Sequence, residues 1–110
     1  MGRYISTTGT ASPVLRTATA NFAATASDRI LLDSSGGAFT VTLPAVADVL
    51  EGDQIQLIEV GSSASSNNIT VARNGANING SAEDLTIDIN GSIVTLLYTN
   101  VTYGWVITSS

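Results

Sequence analysis

Residues 85–100 read LTIDINGSIVTLLYTN, two β-branched runs joined by Asn-Gly-Ser. Asn-Gly suits a two-residue type I′ turn, whose central residues both need positive φ. With Asn90-Gly91 as that turn, a hairpin pairs Ile89 with Ser92, Ile87 with Val94, and Leu85 with Leu96. Leu85, Ile87, Val94 and Leu96 then share one face, which must be the core side. Asn-Gly occurs twice more, at Asn74-Gly75 and Asn79-Gly80, bracketing the short segment ANI. These pairs predict a narrow hairpin or a protruding loop.

Working outward, the same grammar holds back to Asp28. In DRILLD, Ile30 and Leu32 share a face, and DSSGG supplies turn residues. AFTVTLP alternates Phe39, Val41 and Leu43 inward with Thr40 and Thr42 outward, and Pro44 ends the strand. AVADVLEGD predicts one helical turn over Val46, Val49 and Leu50, stopped by Gly52. QIQLIEV turns Ile55 and Leu57 inward, the polar GSSASSN reads as a flexible loop, and NITVAR follows as a strand. The last strand, YGWVIT, puts Tyr103, Trp105 and Ile107 on one side, with Trp105 an anchor of core or interface. The fold expected is all-β: a compact antiparallel sandwich or barrel, jelly-roll-like, over residues 28–110.

Residues 1–27 differ in texture. They are rich in Thr, Ala and Ser, and their apolar residues follow neither a strand nor a helix period. They read as an extended N-terminal arm, with a short strand near Ala20–Ala24.

Apolar residues also fall where a lone sandwich shows polar ones. Leu31, Ile58, Ile93 and Leu97 all occupy outward positions. The mean hydropathy is +0.28, and only 12% of the 110 residues are charged, about half the usual share. A small body with so much apolar surface predicts contact between copies, a homo-oligomer with those four residues at the interface.

The chemistry-bearing side chains are few. There is no histidine, cysteine or lysine, so the usual general base, thiolate nucleophile and serine-activating base are missing. Carboxylates at Asp48, Glu51, Asp53, Glu83 and Asp84 read as solvated strand ends, so an enzyme is not expected and no cofactor is implied. DVLEGD offers three oxygen-bearing groups, yet not in an EF-hand's spacing. Four arginines against nine acidic residues give a net charge of −5, which argues against nucleic acid as a partner. No apolar run is long enough to span a membrane. MGRYIS matches a myristoylation pattern, and four N-x-S/T triplets match a glycosylation pattern. Both are read as coincidence. The Thr40-x-Thr42 pair suggests an ice-binding array, but no further ranks follow it along the chain.

The succession DRILLDSSGGAFTVTLPA, GDQIQLIEV, NNITVARNG, INGSAEDLTIDINGSIVTLLYTN and GWVIT resembles a β-domain of tailed-bacteriophage virion proteins. That domain occurs in tail fibres and in small capsid decoration proteins, particularly of cyanophages, and typically forms homotrimers. The resemblance covers about three-quarters of the chain. It implies a cement protein on the outer surface of the phage particle, made in the host cytoplasm. Its partners would be its own copies and the major capsid protein. The arm (Arg3, Tyr4, Ile5, Val14, Leu15, Arg16) would then contact the shell. The alternative is a tail-fibre receptor-binding module that takes a host-surface glycan on GSSASSNN and NGANING, with Trp105 or a tyrosine as stacking platform.

Overall fold

The computed structural model describes residues 14–109. Within them the strands are β1 (Val14–Ala18), β2 (Phe22–Ala23), β3 (Asp28–Leu32), β4 (Phe39–Thr42), β5 (Gln54–Glu59), β6 (Ile69–Ala72), β7 (Leu85–Ile87), β8 (Ile93–Asn100) and β9 (Gly104–Ser109). The turn expected in AVADVLEGD is a 3-10 turn, Val46–Asp48.

The strands form two sheets, one in the order β1-β3-β5-β8-β9 and the other in the order β2-β4-β6-β7. From β1 to β6 the chain alternates strictly between them. Each strand therefore lies beside the one two places earlier, and β1/β3, β3/β5, β2/β4 and β4/β6 are all parallel. A parallel pair needs a long crossover, commonly a helix. Here the crossover is a strand of the opposite sheet, so the first half of the molecule is a flattened β-coil. Only then does the chain reverse. β7 runs antiparallel to β6, and β8 is antiparallel to both β5 and β9.

All-β with two packed sheets holds, but the antiparallel jelly-roll does not. Alternating sequence reports which face a residue takes, not the direction of its neighbour. Neither sheet closes into a barrel: β1 and β9 are the end strands of one, β2 and β7 of the other.

The hairpin at Asn90-Gly91 is also corrected. β7 belongs to the four-stranded sheet and β8 to the five-stranded one, so Leu85 and Ile87 face Val94 and Leu96 across the core rather than beside them. Asn90 lacks positive φ, and only Gly91 (φ 76°) adopts it. The Asn-Gly turns with positive φ at both residues are the other two, with φ 50° and 87° at Asn74-Gly75 and 50° and 77° at Asn79-Gly80. Asn90-Gly91 still closes a turn, Ser92 N–H donating to Ile89 O at 3.3 Å, but it is a corner between the sheets and is held from outside as well. Gly91 N–H donates to Glu59 Oε1 at 2.7 Å, Ser65 N–H to Asn90 Oδ1 at 2.9 Å, and Glu59 N–H to Ser92 O at 2.8 Å.

The core is one apolar layer between the sheets: Ile30, Leu32, Ile55, Leu57, Val94 and Leu96 against Phe39, Val41, Ile69, Val71 and Ile87. Every inward position expected of β3, β4 and β5 is buried. Trp105 is fully buried and meets Tyr98 edge-on, with ring centroids 5.3 Å apart. Gly104 makes this possible. Its φ is 69°, and a Cβ there would run into the Asn77 backbone, so the 77–80 turn can lie directly on the start of β9.

The described part of the expected arm is built into this body. Val14–Ala18 is the edge strand beside β3, and Ala18 reaches the core. The short strand expected near Ala20–Ala24 is Phe22–Ala23, beside β4. Residues 14–18 and 22–23 of the expected 1–27 arm thus pair within the two sheets, while residues 1–13 lie outside the described residues.

Candidate interaction surface

The two outer faces follow from register. On the five-stranded sheet, Thr17 lies opposite Leu31, Leu31 opposite Ile58, and Ile58 opposite Ile93. Three of the four residues expected at a subunit contact thus form one row across three central strands. The fourth, Leu97, sits further along β8 on the same face, opposite Gln54 and Val106. Leu15 is on this face too, opposite Arg29. Ile93 is 46% exposed and Leu15 64%, while Leu31, Ile58, Leu97 and Val106 are half-buried. A hairpin about Asn90-Gly91 would set Asp88 opposite Ile93 and Asp84 opposite Leu97. Both apolar residues do lie on the outer face, but their neighbours there are Ile58 and Gln54 of β5.

The outer face of the four-stranded sheet is different. Thr40 lies opposite Thr70 and Thr70 opposite Thr86, with Thr42, Ala72 and Ala23 beside them. The ranks missing along the chain after Thr40-x-Thr42 are thus supplied across strands, though the array stops at this one row of three.

The candidate arm residues divide. Arg3, Tyr4 and Ile5 lie outside the described residues. Val14 and Leu15 are exposed on β1. Arg16 is occupied within the body: its guanidinium stands 4.7 Å from the Phe22 ring centroid, Nε is 3.7 Å from Asp28 Oδ2, and Nη2 donates to Ala23 O at 3.4 Å. Asp28 is buried at the head of β3 and also accepts Thr25 N–H at 2.8 Å. Arg16 therefore clamps β1 and β2 to β3, a role its place in a Thr/Ala-rich stretch does not signal.

The other buried carboxylate, Glu59, ends β5. Burial alone would raise its pKa, but the backbone N–H groups of Gly91, Ser63 and Ala64 outweigh that and hold it below the ordinary carboxylate range, against repulsion from Asp33. Ser63 N–H reaches Oε2 at 3.0 Å. Asp33 is lowered as well, chiefly by the Ser35 N–H at 3.0 Å. The GSSASSN loop is consequently tied down around Glu59, with Ala64 buried and Asn67 Nδ2 donating to Ser34 O at 2.8 Å. The sequence did carry this signal, because the alternation Ile55, Leu57, Glu59 puts the carboxylate on the inward side.

Among the described residues, no three acidic, histidine or cysteine side chains come together as a metal would require. The shallow cleft of about 250 Å³ beside Asp28, Arg29, Asp53 and Gln56 is open and mixed in polarity. Trp105, being fully buried, offers no stacking platform to a sugar. Tyr103 is not on its side of β9 but in the preceding turn, 57% exposed and close to Gly80. No helix among the described residues is long and apolar enough to cross a membrane. Compared with family models and with curated proteins, the chain matches none.

Proposed function

We propose that this chain is a structural protein of a bacteriophage particle. It assembles as a homotrimer through the outer face of its five-stranded sheet and decorates the head as a cement protein. One observation carries the reading: Leu31, Ile58 and Ile93 form a single apolar row, and Leu97 and Val106 lie further along the same face, beyond Gln56 and Thr95. β3 and β5 are parallel neighbours that each place one apolar residue, Leu31 and Ile58, on the outer side as well as apolar residues on the inner side. Among the described residues, the apolar core fills only the space between the two sheets. The resemblance to cyanophage decoration and fibre domains supplies the setting.

In this reading the copies lie against one another over the apolar row while the segment before Val14, with Arg3, Tyr4 and Ile5, reaches the major capsid protein. A partner that binds only the assembled shell stabilises it by mass action. Since Val14–Ala18 belongs to the body, the informative truncation is residues 2–12. The shortened protein is expected to keep its oligomeric state in light scattering and to lose binding to undecorated phage heads. Full head binding by the truncated protein would refute the arm's part. A monomeric full-length protein that ignores phage heads would refute the whole.

A second reading is favoured by one feature. Exposed Tyr103 stands beside the 77–80 turn, where Asn77 Nδ2 donates to Thr102 O at 2.9 Å. This ordered edge suits a tail-fibre module that stacks a host-surface sugar. A glycan array separates the two: specific binding abolished by Tyr103→Ala supports the fibre module, and silence supports decoration.

A further inference from the structure

The three Asn-Gly pairs are chemically alike and structurally unlike. Asn-Gly is prone to self-modification because the glycine nitrogen, unhindered by a side chain, reaches the preceding carboxamide. The Gly N attacks the Asn Cγ, a C–N bond forms, and the Cγ–Nδ2 bond breaks. The amide group leaves as ammonia, carrying away the proton of the attacking N–H. Water then opens the succinimide ring to aspartate or isoaspartate. The step needs an attacking N–H that is free and a carboxamide that can turn toward it.

Two pairs fail that requirement. Gly80 N–H donates to Tyr103 O at 2.9 Å, and Asn79 Oδ1 accepts Ile107 N–H at 3.0 Å. Gly91 N–H donates to the Glu59 carboxylate at 2.7 Å, which makes it a poorer acid, and Asn90 Oδ1 is held by Ser65 N–H at 2.9 Å. Attack there requires breaking both bonds. At the third pair, Gly75 N–H has no acceptor among the described residues, and the space where a Cβ would stand is open. Asn74 is exposed and tethered only by Nδ2 donating to Leu43 O at 3.0 Å.

We infer that Asn74-Gly75 is a spontaneous deamidation site, whereas Asn79-Gly80 and Asn90-Gly91 are protected by the fold. The product matters locally. A carboxylate in place of Asn74 cannot donate to Leu43 O, so the 73–76 turn loses that tether to the end of β4, and the chain gains a negative charge. Slow modification of this turn thus becomes a record of the folded protein's age.

The test is incubation of the native full chain at mildly alkaline pH, with peptide mapping by mass spectrometry over time. The acid form at Asn74 is expected to accumulate about tenfold or more faster than at Asn79 or Asn90, the factor one net hydrogen bond on the attacking N–H represents. In urea the three rates should converge, because only the fold distinguishes them. Glu59→Ala, checked for folding by circular dichroism, should raise the rate at Asn90 and leave Asn74 unchanged. Equal rates in the native protein, or modification first at Asn79 or Asn90, would overturn the inference.

Discussion

The two outer faces are built on similar strands, and each is crossed by one uniform row of side chains that differs between them. Thr40, Thr70 and Thr86 line up across the four-stranded sheet, and Leu31, Ile58 and Ile93 across the five-stranded sheet. Threonine is as β-branched as isoleucine and satisfies strand geometry equally well. Strand propensity therefore does not account for the contrast. What differs is the response to water: the threonine row carries its own hydroxyl groups, and the leucine-isoleucine row has nothing to offer solvent. One face is finished as it stands, and the other asks for a cover.

The largest effect is expected from placing one charge on each face. Ile58→Asp should weaken self-association about 100-fold or more, since it removes an apolar contact and puts a carboxylate where a neighbour would lie. Thr70→Asp, at the corresponding place on the other face, should change association less than about twofold. Sedimentation velocity over a concentration series measures both. Equal losses would erase the distinction between the faces.

Next comes the residue beside Ile58 in the chain. Glu59 points inward, so Glu59→Gln should destabilise each single body by about 2 kcal/mol through lost charge-assisted hydrogen bonds. Unlike Ile58→Asp, its effect on melting should not depend on protein concentration. The sign of its pH dependence follows from a folded pKa held below the unfolded one. The native carboxylate stabilises fully above about pH 4.3, and that contribution is lost as pH falls through the lower folded value. Melting curves below about pH 4 should therefore fall more steeply for the natural protein than for Glu59→Gln. An identical acid limb would remove Glu59 from its place as the staple of the Asn90-Gly91 corner.

A smaller effect is expected from making one face resemble the other. Ile93→Thr should cost about 1 kcal/mol of association, because this side chain is already half exposed. The smallest is removal of residues 2–12, which should leave the oligomeric state unchanged in light scattering.

Sequence pattern revealed facing and missed direction. Period-two alternation put Ile30, Val41, Leu57 and Leu96 inside and Leu31, Ile58, Ile93 and Leu97 outside, as found. It says nothing of which strand lies alongside, because parallel and antiparallel neighbours accept the same alternation. Asn90-Gly91 misled for a related reason. The turn itself forms, but Glu59 and Ser65, 32 and 25 residues away, grip it from outside, and the strands on either side go to different sheets. The pairing of Arg16 was hidden for the same reason, since its partner Asp28 becomes a neighbour only once β1 lies against β3. Contacts set by long-range pairing leave no mark in a short window of sequence.

Sedimentation equilibrium of the full-length protein addresses the apolar row most directly. A reversible trimer is expected at micromolar concentration, converted to a folded monomer by Ile58→Asp and left intact by Thr70→Asp. A natural protein that stays monomeric throughout would contradict a subunit contact over this row.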